Sequence, residues 1–471
     1  MPLPQPSNTG LEQSLIGSVI VYPSALALTA GIVSPDDFFE PVHQEIWRVL
    51  VETLTTGEVI DLKLLINALG PTAKLSVSDD MTVAQYLARM CAEAAMPVET
   101  VASYAQAIRD LADQRRVGAI GVSLAREAPD DPDKLAIEGI DALDQIIATR
   151  SKQSTSRVTM AQALAGAVEA TAKAYQNNGA PTGVPWCLEE LDRKTLGMQP
   201  EELTILAARP SMGKSSIAVS CARQISKLEY KVLLVSLEMS ATPIGHRLIS
   251  DELFDRGKPV SYHKMRGGHV SQAEFEAMTE AAREIEKLPL TIEDGGGLTF
   301  SRIAAQARQM KRRGGLDLLI VDHLQLIQAS DRYQGQRVRE VGESTSGAKV
   351  LAKELGIPIL LLCQLNRGIE SRQDKRPILS DLRESGEIEQ DADIVIMAYR
   401  ESYYLQQSEP APGTSEHYEW QNKMEAAHNK CELIVAKQRN GPTGSVQIFL
   451  SVADNAVRNA AGTSGLPERS Q

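Results

Sequence analysis

The chain has 471 residues, of which 43% are apolar, and it carries a formal net charge of −12. This length suggests about three domains. No apolar run reaches the roughly 18 residues of a transmembrane helix, and residues 1–10 lack the basic start and apolar centre of a signal peptide, so we expect a cytoplasmic protein without membrane contact. The acidic charge argues against nucleic acid wrapped over the outer surface. It is compatible with a local basic channel, because affinity follows the phosphates contacted.

The five cysteines are far apart and odd in number. This spacing fits neither a disulfide framework nor a zinc site, and it favours buried, reduced thiols. The residues are Cys91, Cys187, Cys221, Cys363 and Cys431.

Residues 11–148 have the pattern of an almost entirely helical region, with turns at Ser34-Pro35-Asp36-Asp37 and Gly70-Pro71. His43 and Trp47 are four residues apart on one helical face, and we expect them to pack in a core. The region contains no catalytic constellation. We therefore predict an all-helical interaction and oligomerisation domain at residues 1–150.

Residues 151–182 are predicted to be a linker. Met160–Gln176 forms an alanine-rich helix with a modest apolar stripe, and residues 177–183 form a flexible break. A single helix between flexible stretches cannot bury its stripe alone. The helix should therefore dock either on its own domain or on a neighbouring subunit.

From residue 183 to residue 456, predicted strands alternate with helices. This order indicates an α/β domain with a mostly parallel sheet and helices on both faces. The predicted strands are residues 203–208, 231–236, 290–292, 316–321, 357–362, 394–398, 433–436 and 445–450. The turn-rich residues 439–444 between the last two predict an antiparallel hairpin.

The first of these strands leads into a phosphate-binding loop. Leu203–Ala208 is an apolar strand, Gly213-Lys214-Ser215 follows the loop, and Ser216–Ile225 reads as a helix. Backbone N–H groups at a helix start attract phosphate, Lys214 reaches the β and γ phosphates, and the Ser215 hydroxyl holds Mg²⁺. The predicted nucleotide contacts are Arg209, Ser211, Met212, Gly213, Lys214, Ser215 and Ser216.

One residue departs from the usual pattern of this loop. Its first glycine is replaced by Ala208, which implies a φ below zero at that position.

Two acidic residues end neighbouring predicted strands. Asp322 follows four apolar residues and is placed to support Mg²⁺ together with Ser215. Glu238 ends a second strand, where a carboxylate can orient and deprotonate the water that attacks the γ-phosphate. Together with Lys214, these acids predict ATP hydrolysis.

Three polar residues follow later strands. Gln364 is placed either to sense the γ-phosphate or to make a hydrogen bond at the edge of the core. Lys437 and Arg439 lack a nearby acidic partner in the sequence. In ring ATPases such cations stabilise transition-state charge in the neighbouring site, whereas a solvated basic turn is the alternative.

Residues 381–386 form a loop that mixes charge with glycine, and Arg372, Lys375 and Arg376 precede it. A mobile basic loop on an acidic protein favours contacts to the phosphates of a strand, although a solvated loop has the same composition. Aromatic residues make up only 4% of the chain. This scarcity favours backbone tracking over base stacking.

Ordered motifs throughout the chain resemble the DnaB-type replicative DNA helicases. That family commonly has alanine where this chain has Ala208. The matching stretches are residues 35–43, 182–185, 207–215, 236–240, 322–327, 364–367, 380–386, 389–393 and 437–442. The resemblance covers residues 11 to about 456.

The resemblance implies a homohexameric ring of RecA-like motor domains that binds ATP between subunits and moves 5′→3′ on single-stranded DNA. Such helicases work with a primase and a loader. Glu238 is then the catalytic base, Gln364 couples the γ-phosphate to the DNA loop, and Lys437 and Arg439 act in trans. The implied DNA contacts are Arg383, Glu384 and Gly386. The helix Met160–Gln176 would dock on the adjacent subunit.

The chain departs from the family in two places. Gly347 and three hydroxyl residues weaken the predicted helix at residues 343–349. Residues 408–429 make a longer connection than many relatives have, with a short surface helix at Glu416–Ala427. The tail at residues 457–471 is expected to be disordered, at least from Ala460 onward.

Two other functions fit part of the same pattern. A RecA-like ATPase would bind DNA without unwinding it, and a ring scaffold would recruit primase with hydrolysis incidental. The helical first domain and the linker helix argue against the former. Glu238 and Arg439 argue against the latter.

Overall fold

The structure is a computed structural model. It describes residues 5–29, 31–56, 61–78, 81–94, 100–126, 159–176, 180–328, 337–382 and 386–460, with single positions at 135, 139, 142, 143 and 146. The chain divides into two compact units, Met1–Thr159 and Met160–Gln471. None of the helices in these ranges is long and apolar enough to cross a bilayer.

The first unit is built mainly from helices. These are α1 (Thr9–Val21), α2 (Leu26–Thr29), α3 (Pro41–Thr56), α4 (Leu62–Ala68), α5 (Val83–Glu93) and α6 (Val101–Arg126). A short antiparallel hairpin of β1 (Ser76–Ser78) and β2 (Met81–Thr82) departs from the all-helical prediction. Its strands are too short to show the alternation by which a strand is recognised. The last part of the predicted helical region, residues 127–148, lies outside the described residues apart from single positions.

The core of the first unit confirms the packing role predicted for His43 and Trp47. Trp47 is fully buried, with its ring 5.0 Å from that of Phe38. The imidazole of His43 is also fully buried, and its Nδ1 lies 2.6 Å from the Glu12 carboxylate. The ring is therefore held by a structural hydrogen bond inside this core.

The second unit contains, among the residues described, a nine-stranded sheet in the order β11-β10-β9-β8-β3-β7-β6-β4-β5. The strands are β3 (Leu203–Ala208), β4 (Val232–Ser236), β5 (Leu290–Glu293), β6 (Leu318–Asp322), β7 (Ile359–Gln364), β8 (Ile394–Tyr399), β9 (Lys430–Gln438), β10 (Gly444–Ser451) and β11 (Ala456–Asn459). The strands β3 to β8 are mutually parallel. β9 and β10 form the predicted antiparallel hairpin, and β11 adds a further antiparallel strand.

Helices follow most of these strands. They are α7 (Met160–Gln176), α8 (Glu189–Thr195), α9 (Lys214–Lys227), α10 (Ala241–Asp255), α11 (Tyr262–Arg266), α12 (Gln272–Ile285), α13 (Phe300–Arg313), α14 (Arg337–Leu355), α15 (Gly386–Asp391), α16 (Glu401–Gln406) and α17 (Ser415–Ala427). Successive strand residues point to opposite faces of the sheet, so each strand contributes side chains to two hydrophobic cores, one on each face. Leu206 and Leu234 belong to one, whereas Ile205 and Leu233 belong to the other.

The helix α14 is continuous through residues 343–349, despite its weak propensity. Gly347 lies against the ring of Phe300, where an added Cβ would come within 2.8 Å of two ring carbons. Tertiary packing therefore explains the glycine and outweighs the loss of propensity. The predicted surface helix in the long connection is α17, and the predicted disordered tail lies outside the described residues from position 461 onward.

Candidate active site at the carboxyl edge of the sheet

The loop between β3 and α9 has the shape of an anion-binding turn. Ser211 and Gly213 both have left-handed backbones, with φ of +67° and +92°. At Gly213 a side chain is also excluded sterically, because a Cβ would lie 2.6 Å from a methyl carbon of Leu450. The helix begins at Lys214. Its first N–H groups have no partner within the helix and so are available to a phosphate.

Ala208 confirms the prediction of a negative φ. It is the last residue of β3, and it pairs with Gln364 on one side and Ala398 on the other. It is therefore an ordinary extended residue, and no glycine is needed there.

The parallel register brings the predicted acids to the same edge, which we call the carboxyl edge. Asp322 pairs with Ser236, so β4 and β6 end side by side. The Lys214 ammonium nitrogen lies 3.7 Å from Asp322 Oδ1. This oxygen is buried, and within the described ranges it has no hydrogen-bond partner. Such a buried carboxylate oxygen fits a water-mediated contact to Mg²⁺.

Glu238 lies just past β4, beside a residue that sequence reasoning missed. Its side chain is 53% exposed, and its Oε2 lies 3.1 Å from His323 Nδ1. Burial and the nearby Lys214 charge lower the pKa of His323, so the imidazole is neutral near pH 7. The available signal was its position directly after Asp322 at the end of a buried strand.

Gln364 is the exposed last residue of β7. Its backbone N–H donates to Gln325 Oε1 at 3.1 Å, and its carbonyl accepts from Gln325 Nε2 at 3.1 Å. These two bonds hold the backbone of Gln364 beside Ala208. They leave its side-chain amide at the carboxyl edge.

Two arginines hold the phosphate loop from either side. The buried guanidinium of Arg209 binds the Glu370 carboxylate and donates to the Leu365 carbonyl at 2.9 Å. Arg400, which sequence reasoning missed, follows β8 and donates to the Ser211 carbonyl at 3.0 Å. The feature that could have indicated Arg400 is its position directly after β8, the strand that pairs with β3. Within the described residues no carboxylate pairs with Arg400, and burial lowers its pKa.

Lys437 and Arg439 lie at the opposite, amino edge of the sheet. Arg439 N–H donates to the Asp393 carbonyl, just before β8 begins, and its guanidinium lies 3.2 Å from the Asp393 carboxylate. Lys437 Nζ donates to the carbonyl of Ala392 at 2.8 Å. The six residues of β3 separate this edge from the phosphate loop, a distance of about 17 Å at the usual rise per residue.

Of the three predicted DNA contacts, Arg383 and Glu384 lie outside the described residues. Gly386 is the first residue of α15. The basic residues before this loop are engaged within the chain: Arg372 binds Asp381 at 3.1 Å, and Arg376 binds Glu432 at 2.9 Å.

Three of the five cysteines are buried and two are half-buried. Burial raises the pKa of Cys187 and of Cys431 to about 12. Their thiols are therefore protonated at neutral pH.

Comparison with known proteins identifies matches over most of the chain. Residues 183–456 match a family model described as the DnaB-like helicase C terminal domain, and residues 4–110 match the DnaB-like helicase N terminal domain. A replicative DNA helicase DnaB from Rickettsia felis is 34% identical over an alignment of 468 residues. The alignment covers 95% of this chain and 92% of that protein. The replicative DNA helicase DnaB of Geobacillus stearothermophilus is 33% identical, with 94% and 92% covered.

A solved structure gives the same result. It is a DnaB-like replicative helicase, described with its interactions with primase. It aligns with a TM-score of 0.67 and 26% identity, covering 96% of this chain and all of that one.

Proposed function

The chain belongs to the DnaB-like replicative DNA helicases, which are ATP-dependent enzymes, and from this premise we propose how it works. It forms a homohexameric ring, hydrolyses ATP with Mg²⁺ and moves 5′→3′ along single-stranded DNA in the cytoplasm. Residues 1–150 are its interaction domain, residues 151–182 its linker and residues 183–456 its motor. A primase and a loader are its partners, and the solved relative described with primase supports the first of them.

The separation of the two edges is the observation that carries this proposal. Lys214 and Asp322 lie at the carboxyl edge, whereas Lys437 and Arg439 lie at the amino edge, about 17 Å away along β3. These cations are too far away to complete the site of their own subunit. In a head-to-tail ring, two different surfaces of the chain meet at each interface, and we place the amino edge of one subunit against the carboxyl edge of the next. Arg439 and Lys437 then stabilise transition-state charge in trans.

Within one subunit, the chemistry is divided among a few residues. The loop residues Arg209–Ser216 bind the nucleotide phosphates, and Arg400 adds a cation on the other side of the loop. Ser215 and Asp322 would hold Mg²⁺, which would supply positive charge to the nucleotide phosphates. Glu238 takes the proton of the attacking water.

A short backbone path connects Gln364, which we place near the nucleotide, with the segment that we propose to bind DNA. Two residues beyond Gln364, the N–H of Asn366 donates to the carbonyl of Asp381 at 3.1 Å. Asp381 begins the segment that carries Arg383, Glu384 and Gly386, the proposed DNA contacts. A movement of Gln364 toward the γ-phosphate therefore shifts the start of the DNA segment.

The helix α7 supports the ring. Met160, Leu164 and Val168 recur at helical spacing and are 74%, 59% and 69% exposed. None of the residues of α7 is buried within the described part of the chain. We assign this stripe to docking on the adjacent subunit, because an isolated helix gains stability mainly by burying its apolar face.

Unwinding of a forked duplex tests the proposal. The protein should separate strands with ATP when the fork has a 5′ tail and fail when only a 3′ tail is present. The matched control is Lys214→Ala, which should be inactive on both. Hydrolysis by the wild type without strand separation would favour the DNA-binding ATPase. Primase recruitment that survives without any hydrolysis would favour the scaffold.

A further inference from the structure

The backbone around Glu238 is fixed on both sides, but its side chain is not. The Leu237 N–H donates to the Asp322 carbonyl at 2.7 Å, and the Met239 N–H donates to the Ser236 hydroxyl at 3.2 Å. The Glu238 carboxylate nevertheless reaches solvent, with 53% of the side chain exposed. A general base needs a fixed position against the water it deprotonates. Something beyond the backbone must therefore restrict this carboxylate.

His323 is placed to do so. Its side chain is 9% exposed, and its Nδ1 lies 3.1 Å from Glu238 Oε2 and 3.8 Å from Asp322 Oδ1. Within the described ranges, His323 is the only cationic or imidazole side chain within ion-pair distance of Glu238.

The imidazole nitrogen also needs this contact. Nδ1 is buried and, in the described part of the chain, has no aligned hydrogen-bond partner. A buried polar atom without a hydrogen bond carries a free-energy cost. A small rotation of the exposed Glu238 side chain aligns the pair and removes this cost. The carboxylate then selects the tautomer that carries hydrogen on Nδ1.

We propose that His323 is a positioning residue that donates its Nδ1 hydrogen to the Glu238 carboxylate and thereby fixes the catalytic base. The inference rests on the proposed role of Glu238. His323 keeps its own hydrogen throughout, and the proton of the attacking water goes to Glu238. Loss of the contact should lower kcat and leave the KM for ATP unchanged, because the ion-pair contacts of His323 are with Glu238 and Asp322.

Two substitutions distinguish positioning from packing. In His323→Asn the amide nitrogen lies near the position of Nδ1, whereas in His323→Gln it lies nearer that of Nε2. DNA-stimulated ATP turnover of the full-length protein should fall about tenfold or more in His323→Gln, as part of the contribution of a positioned base. His323→Asn should lose only a few-fold, and both variants should keep the wild-type KM. Binding of a fluorescent ADP analogue checks that both variants fold.

Equal turnover in the two variants, whether both high or both low, would overturn the inference, as would a raised KM in His323→Gln alone. Glu238→Gln separates this inference from the function on which it rests. If Glu238→Gln still turns over ATP, the assignment of the base is wrong. If Glu238→Gln is inactive while His323→Gln is fully active, only the role of His323 is wrong. In the Glu238→Gln background, His323→Gln should cause no further loss.

Discussion

The two edges of the motor sheet differ in how their charges are used. At the carboxyl edge, Lys214 lies 3.7 Å from Asp322, and the phosphate loop that leads into Lys214 has the left-handed backbone of an anion-binding turn. At the amino edge, Arg439 and Lys437 are held by Asp393 and by backbone carbonyls. Under the proposed function, the carboxyl edge binds the nucleotide and the amino edge provides the cations that complete the site of the next subunit. A single subunit would then hold both groups of residues about 17 Å apart.

Removal of the amino-edge cation should have the largest effect. Arg439→Ala should lower ATP turnover about 10³-fold, the contribution typical of an arginine that stabilises a phosphoryl transition state. Nucleotide binding and ring assembly should persist, because the phosphate loop is unchanged. The control is Lys194→Ala, since Lys194 contacts the Thr443 carbonyl at the same edge. Steady-state kinetics measures ATP turnover, and light scattering measures ring assembly. An Arg439→Ala ring with normal ATP turnover would contradict the proposed role of Arg439.

The next prediction concerns the docking of α7 on the adjacent subunit, which would bring the two edges together. Leu164→Asp with Val168→Asp places charges on the exposed stripe of α7, and each lost apolar contact costs about 1.5–3 kcal/mol. The ring should dissociate at concentrations where the wild type stays assembled, as measured by analytical ultracentrifugation. Glu169→Ala with Lys173→Ala changes the salt bridge of 2.9 Å on the same helix and should leave assembly intact. Unchanged assembly in the stripe variant would place the docking surface elsewhere.

A smaller effect is expected at the carboxyl edge. Arg400→Ala removes the cation that contacts the Ser211 carbonyl at 3.0 Å. The KM for ATP should rise about tenfold, in line with the value of one hydrogen bond to a charged group, while kcat changes little. Titration with labelled nucleotide would detect the loss. An unchanged affinity would mean that Arg400 only supports the loop backbone.

The last effect is expected on the stability of the fold and not on ATP turnover. Asp192 accepts from the Trp186 N–H at 2.7 Å and from the Leu188 N–H at 3.1 Å, and burial nevertheless raises its pKa to about 6. The folded protein therefore keeps this proton to a higher pH than the unfolded chain does. The stability it contributes below about pH 4 is lost as the pH rises through about 6, by at most about 3 kcal/mol.

Asp192→Asn removes this titration and should flatten the pH dependence of the free energy of unfolding between about pH 4 and pH 7, relative to the wild type. Urea unfolding at several pH values measures the difference. Parallel profiles for the two proteins would show that Asp192 titrates normally.

Sequence patterns predicted most of the motor fold, because its strands are long apolar runs that end in polar residues. The eight predicted strands are confirmed, as is the final hairpin. β11 was missed, since its four residues follow a turn and become a strand only by pairing with β10. The helix predicted through residues 343–349 is confirmed despite the low propensity of Gly347. The sequence could not explain this glycine, because the ring of Phe300 against which it packs is distant along the chain.

Predictions of the site from sequence were uneven for a related reason. Strand-end residues such as Asp322 and Gln364 follow from topology, because parallel strands end at one edge. His323 and Arg400 directly follow strands, but their contacts with Glu238 and Ser211 depend on side-chain directions that the sequence does not display. The distance between Arg439 and the phosphate loop depends on the antiparallel pairing of β9 with β8, which places the end of β9 at the amino edge. The sequence does not show this pairing.

Mixed rings test most directly whether each site is shared between subunits. Arg439→Ala subunits keep the phosphate loop, and Lys214→Ala subunits keep the cation, so neither ring alone should hydrolyse ATP. When the two are unfolded, mixed in equal amounts and reassembled, about a quarter of the interfaces should join an intact loop to an intact Arg439. ATP turnover should then reappear in proportion to the number of these interfaces. If mixtures at every ratio stay as inactive as the separate variants, Arg439 does not act in trans.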